Sequence, residues 1–305
     1  MSERIWFGLG LPSAVGDVAT LLAQAGQADR EGLDLVTVSD HPYVPDRLEA
    51  YATTGVLLGR TSRITAGVNV SNLPLRPAPM LARTVAGLSA LSGGRVVLGI
   101  GAGGTMAEIV RLGVPRLTPG GAVRAMAEGI EVVRLLCGGG AGAHREVSYD
   151  GEFHSFAGLV PSPVAAPPVW TGSNGPASLA VTGRLADGWI PGHAADWLSE
   201  RYAWSRPLVD EAATAAGRDP REVATIYNLP GRITAEPLRT TRSPAGRWIG
   251  GSPSQWVEEL TGAVLDHGAS GFILFPTPDG TPIGTTITRW ATEVAPAVRA
   301  ATKRA

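Results

Sequence analysis

Apolar positions along this chain alternate between two rhythms. Residues 5–11 form a short apolar run of strand character, and then Val18, Leu21, Leu22, Ala25 and Ala28 recur on one face of a 3.6-residue period. The same couplet repeats. Strands are predicted over 33–40, 63–70, 95–101, 167–172, 187–191, 223–228 and 271–276. The helices between and after them are predicted over 50–60, 79–91, 123–137, 177–186, 195–216, 254–267 and 286–301.

Eight short, nearly continuous apolar strands separated by amphipathic helices predict an α/β fold, a (β/α)8 TIM barrel, with 1–305 as one domain. Its active site belongs at the C-terminal ends of the strands, in the βα loops. Two stretches, 138–167 and 230–253, exceed a minimal barrel loop and are expected to be insertion segments that act as lids or binding loops.

Charge and composition narrow the function classes. With 26 basic and 27 acidic residues and a net charge of −1, the chain has no electrostatic footprint for nucleic acid or an anionic membrane. The start, MSERIWFGLG, has no long apolar core, and no later run reaches membrane-spanning length, so a cytoplasmic location is expected. The single cysteine, Cys137, excludes an intramolecular disulfide framework and is read as packing at a helix end. The 40 glycines and 24 prolines sit between apolar runs, which suits tight strand-to-helix turns.

The strand ends hold the candidate chemistry. VVLGIGAGG carries G-x-G-x-x-G spacing at Gly99, Gly101 and Gly104, the pattern of a dinucleotide loop. That motif requires a second strand with an acidic end about 20 residues on. Here Val123, Met126, Ile130, Val133 and Leu136 keep helical spacing across that distance, which argues against it. After strand two, Ser39-Asp40-His41-Pro42-Tyr43 offers a carboxylate and an imidazole for proton handling, or caps a turn. The end of strand three, Val68-Asn69-Val70-Ser71-Asn72, suits a planar polar ring or plain turn chemistry. After strand five, Gly172-Ser173-Asn174-Gly175 leads into a helix start, where either a phosphate or an N-cap accounts for the polar residues.

At these residues the sequence resembles the bacterial luciferase-like superfamily of barrel flavoproteins, especially the branch that uses the deazaflavin coenzyme F420. The resemblance runs through SDHP, VSNLPLRPAPMLARTVAGLSALSGGR, VVLGIGAGG, the G-E-F-H at 151–154, PPVWTGSNGPASLAVTGRLADGW and GGSPSQWVEELTGAVLDHGASGFILF. It implies hydride transfer between the deazaflavin and a small organic substrate. Asp40 and His41 would meet the ring edge, with His41 carrying a proton. Val68, Asn69, Val70 and Asn72 would lie beside the ring, with a non-prolyl cis peptide near Val68–Val70. Gly101 and Gly103 would leave room for the ring, and Gly172, Ser173, Asn174 and Gly175 would hold the phosphate-bearing tail. A homodimer is compatible with the resemblance.

Departures from the family pattern refine these expectations. Sugar-phosphate dehydrogenase members place an acid where this chain has Gly104, which leaves Glu108, a turn later, as a further proton-transfer candidate. A lysine that precedes the segment resembling Arg247-Trp248-Ile249 is replaced by Gly246, which argues against glucose 6-phosphate as substrate. Tyr43 stands in for an aromatic residue that covers the ring. Trp170 and Trp248 either line the pocket or pack. The alternative cofactor is FMN, in a monooxygenase that receives reduced flavin from a partner reductase. Two further readings are binding without turnover and a metal hydrolase built on Asp40, His41 and one of His144, His154, His193 or His267; no short ligand motif supports the latter, and no metal is expected.

Overall fold

The computed structural model describes residues 4–138 and 145–303. Strand β1 (Trp6–Gly10) leads through α1 (Val18–Glu31) to β2 (Leu35–Val38), and the step repeats through α2 (Ala50–Arg60), β3 (Thr65–Asn72), α3 (Ala78–Ser92) and β4 (Val96–Gly101). A short α4 (Met106–Ile109) and a long α5 (Pro119–Leu136) follow. An antiparallel hairpin of β5 (Val147–Asp150) and β6 (Ser155–Leu159) precedes β7 (Val169–Thr171), α6 (Pro176–Leu185) and β8 (Gly188–Trp189). The rest is α7 (Glu200–Ala215), β9 (Ala224–Ile233), β10 (Gly250–Gly251), α8 (Pro253–His267), β11 (Ala269–Pro276), α9 (Ile283–Thr288) and α10 (Ala295–Thr302).

Strands β1, β2, β3, β4, β7, β8, β9 and β11 pair in parallel and form a closed ring, with β11 against β1 and β8 against β9. This is the expected eight-stranded α/β barrel, with β10 added to β9. Register follows side-chain parity. Leu35, Val97, Trp170, Ile226 and Ile273, one from each of five strands, meet in one cluster inside the barrel. Val36, Val38, Phe7 and Leu9 instead face the helices, where Leu21, Ala25, Leu57 and Trp290 cover them. Each such buried side chain contributes about 1.5–3 kcal/mol. Trp290 also donates its indole N–H to Gly8 O at 3.0 Å, which ties the C-terminal helical segment to β1.

Several boundaries differ from the sequence expectation for local reasons. The helix expected from 123 begins at Pro119, because proline suits the first helical turn and Thr118 caps it by accepting from Gly121 N. The helix expected from 195 begins at Glu200. Before it, Asp196 and Ser199 bond locally, with Leu198 N donating to Asp196 Oδ1 and Tyr202 N to Ser199 Oγ. The final helix starts earlier, at Ile283, and a π-helical turn at Arg289–Val294 divides it.

Of the two insertions, the first supplies the β5–β6 hairpin. The G-E-F-H turn sits on α5, where Glu128 accepts from the backbone N–H groups of Glu152, Phe153 and His154. The second is fastened by Arg242, which bonds Asp196, Glu259 and Gly246 O and lies 5.9 Å from the Trp197 ring centre. Cys137 is buried and bonds Ala82 O, and burial pushes its thiol up to about 11, as a packing residue requires. No helix among the described residues is long and apolar enough to cross a membrane.

Candidate active site

A cavity of about 420 Å³ opens at the C-terminal ends of the strands. Its wall takes His41 and Tyr43 from the loop after β2, Asn69, Val70 and Asn72 from β3, and Gly101, Gly103 and Thr105 from β4 and its loop. The other side is Gly172, Ser173, Asn174 and Gly175 after β7, His193 after β8 and Asn228 on β9. Among the described residues, no Asp, Glu, Lys or Arg lines it.

The β3 end shapes the floor. The Asn69–Val70 peptide is cis, within the stretch where the resemblance placed one. Val68 O stands 2.1 Å from where a Cβ on Gly99 would lie, and the Val70 side chain stands 3.0 Å from such an atom on Gly101 or Gly172. The glycines therefore provide clearance, but Val68 and Val70 fill it, where the sequence reading gave that space to the ring. Val68 itself is buried and outside the cavity wall. Across the floor the Asn69 amide donates to Asn228 Oδ1 at 2.8 Å, joining β3 to β9.

Asp40 is turned away from the cavity. Its fully buried carboxylate accepts from both ends of the Arg76 guanidinium at 2.5 and 2.9 Å and from Asn72 N at 2.8 Å. The adjoining backbone also serves the site, with Asn72 Nδ2 donating to Asp40 O. Burial opposes the Arg76 charge, and the hydrogen bonds and charge of Asp40 overturn that and raise its pKa. Arg76 also pairs with Glu49 at 2.6 Å and lies 4.9 Å from the centre of the Tyr51 ring. Tyr51 in turn bonds Ser71 at 2.6 Å, and burial raises its phenol well above the usual range. In place of the cofactor edge given to it by resemblance, Asp40 anchors the loop that presents His41 to the end of β3.

His41 does face the cavity. Its Nδ1 lies 2.7 Å from Tyr43 OH, which lies 3.1 Å from Thr105 Oγ1. Glu108 does not reach the wall; it is half-exposed and paired with Arg111 at 2.7 Å.

After β7, neither Ser173 nor Asn174 caps the helix. Gly175 is the N-cap of α6, and Ser178 Oγ accepts from Asn174 N and Gly175 N. Ser173 is buried and its hydroxyl receives a bond from Thr182. Among the described residues, the Ala177 and Ser178 N–H groups have no acceptor, which leaves the positive end of α6 open to an anion.

A second cavity, about 1080 Å³, shares His193 and Ala194 with the first. Both shared residues hold left-handed backbone, at φ 58° and 51°. Arg232, Gly246, Arg247 and Trp248 line it. Arg232 and Arg247 have no acidic partner among the described residues, and Arg232 Nε and Trp248 Nε1 are buried without acceptors. Trp170 packs in the barrel interior, with its ring centre 5.6 Å from that of Trp6.

His154 lies in the hairpin beside Ala125 O and His267 at the end of α8, while His144 lies outside the described residues. Among the described residues, His, Cys, Asp and Glu form no group of three that could hold a metal. Sequence reasoning missed Asn228, Thr105 and Ser178 and named His193 only as a candidate metal ligand. A polar residue inside the apolar VATIYN strand marked Asn228; nothing local marked the others.

The F420-dependent glucose-6-phosphate dehydrogenase of Microbacterium testaceum is 30% identical over 212 residues, 66% of this chain and 60% of that protein. The chain thus spans about 60% of the length of such curated relatives. In fold, it superposes on the coenzyme F420-dependent tetrahydromethanopterin reductase of Methanopyrus kandleri with a TM-score of 0.79 at 18% identity, covering 96% of this chain and 99% of that one. A riboflavin lyase solved with modified FMN gives 0.80 at 15% identity, covering 97% and 92%. The luciferase-like monooxygenase profile matches residues 6–237, so the chain belongs to the luciferase-like monooxygenase family.

Proposed function

We propose that the chain is an oxidoreductase that holds coenzyme F420 in the first cavity and exchanges a hydride with a small organic substrate. The observation that carries this reading is an uncharged wall of amides and hydroxyls beside an open helix N-terminus. Asn69, Asn72 and Asn228 both donate and accept hydrogen bonds, as a flat ring edged with carbonyl and N–H groups requires. The N–H groups of Ala177 and Ser178 complement a phosphate. When bound, the deazaflavin supplies the hydride donor or acceptor.

The chain's residues do the positioning and the proton work. Val70 and its glycine neighbours set the depth of the floor, and Asp40 with Arg76 holds the His41 loop against β3. His41 presents Nε2 to the cavity and handles the proton that accompanies hydride transfer. The second cavity gives the substrate its room. Its unpaired Arg232 and Arg247 complement an acceptor-rich substituent, and Gly246 marks a substrate other than glucose 6-phosphate. A cytoplasmic, homodimeric enzyme goes with this reading.

The helix end accepts either cofactor's phosphate, so FMN is the second reading, with a reductase supplying reduced flavin. Fluorescence titration of the purified protein decides between them. Tighter binding of F420 than of FMN is expected, and preferential FMN binding overturns the first reading.

A further inference from the structure

The proposed function makes His41 a proton carrier, and its surroundings raise a question about how it carries one. Histidines that work at Nε2 commonly have Nδ1 held by a carboxylate or a backbone carbonyl, which fixes the tautomer. Here the nearest carboxylate in sequence, Asp40, is buried against Arg76, and among the described residues no acidic side chain lines the cavity. Nδ1 is instead engaged by a phenol, at 2.7 Å. That phenol is engaged by Thr105 Oγ1 at 3.1 Å, across the cavity mouth from the β4 loop. Thr105 is exposed to bulk water.

We propose that Tyr43 and Thr105 set the tautomer of His41 and feed protons to it, so that the histidine gives or takes a proton at Nε2 while remaining neutral. This rests on the oxidoreductase reading above. Thr105 Oγ1–H donates to Tyr43 O, and Tyr43 O–H donates to Nδ1, so the resting ring carries its proton on Nε2, facing the cavity. In the reductive direction the Nε2–H bond breaks as a bond to hydrogen forms at the reacting atom of the substrate. At the same time Tyr43 O–H breaks and Nδ1–H forms, Tyr43 regains a proton from Thr105, and Thr105 regains one from water. The ring ends neutral with its tautomer exchanged, and the oxidative direction runs the same transfers backwards.

A carboxylate at Nδ1 would favour the imidazolium and could only accept, whereas a hydroxyl both donates and accepts and so supports either neutral tautomer. The charged surroundings do not replace it. Among the described residues, Tyr43 and His193 are the other titratable side chains of the wall, Asp40 is held by Arg76, Asp46 lies 3.8 Å from Arg47 on the same loop, and Glu108 on α4 is paired with Arg111.

Two measurements test the relay on the full chain. In ¹H–¹⁵N spectra of the ligand-free protein near pH 8, with His41 assigned by its loss in His41→Gln, the wild type is expected to show a single Nε2–H tautomer. Tyr43→Phe is expected to mix the two tautomers, and Thr105→Val to do so partly. A wild-type Nδ1–H tautomer, or the same tautomer in wild type and Tyr43→Phe, overturns the proposal.

The second measurement is the pH profile of reduction by reduced F420. Wild type is expected to stay level between pH 6 and 8. Tyr43→Phe must draw on the imidazolium and is expected to fall steadily as pH rises across that interval. Superimposable profiles overturn the relay. Failure of both proteins to bind F420 overturns the cofactor assignment instead, and the spectra still decide the tautomer.

Discussion

Two neighbouring regions handle charge in opposite ways. Among the described residues, the cavity wall takes no Asp, Glu, Lys or Arg, whereas directly behind it Asp40, Arg76 and Glu49 form a partly buried ionic network. The consecutive residues Asp40 and His41 stand on either side of that division. The difference shows where fixed charge is useful: behind the wall it locks a loop to a strand end, and in the wall it would compete for protons and hydrogen bonds with whatever binds.

The most direct way to break the comparison is Arg76→Met, which strands a buried carboxylate. It is expected to lower stability by about 3–5 kcal/mol in denaturant titration, and Asp40→Asn added to it is expected to restore part of that. A midpoint unchanged from wild type in Arg76→Met and in the double variant would mean that the network is idle. On the neutral side, His41→Ala is expected to cut turnover by about 10²–10⁴-fold while fluorescence titration shows cofactor binding retained. A near-normal rate would remove the acid–base role.

Asp29 sharpens the contrast, because backbone N–H groups rather than a cation hold its carboxylate. Burial works against its charge, but backbone N–H groups of Ser62, Arg63 and Ile64 outweigh burial and lower its pKa. A lowered folded-state pKa contributes stability that is present above the unfolded value and lost as pH falls through the folded one. Acid titration of stability should therefore be shallower in Asp29→Asn, which is expected to cost about 1–3 kcal/mol near neutrality. An unchanged acid limb would show that these bonds do not bias its titration. The smallest effect belongs to Glu108→Gln. Its pair with Arg111 is exposed, and turnover is expected to stay within about twofold. A loss comparable to that of His41→Ala would return Glu108 to the mechanism.

Much of the barrel was legible in the sequence because helix and strand periods differ and each strand is short and buried; α2 lies at the expected residues, 50–60. The strand-end rule likewise brought His41, Asn69, Val70, Asn72 and the 172–175 turn to one cavity. What was not legible depends on partners distant in sequence. Asp40 turns inward because Arg76, 36 residues on, reaches it. Gly101 and Gly172 make space for the Val70 side chain of β3, which spacing alone cannot distinguish from space for a ligand. The hairpin at 147–159 was missed because its strands are short and half-exposed, so no alternation of useful length marks them.

The bridge between Asn69 and Asn228 has a consequence for biosynthesis. Synthesis runs from the N-terminus, and a nascent chain that has completed α4 already carries His41, Tyr43, Asn69 and Thr105. It still lacks the β7 turn with its helix end, the β8 loop and the amide that Asn69 meets 159 residues later. No amino-terminal fragment that stops short of β9 therefore contains a competent site, and ligand capture by a ribosome-tethered chain would register the moment at which β9 docks, with β11 left to close the ring.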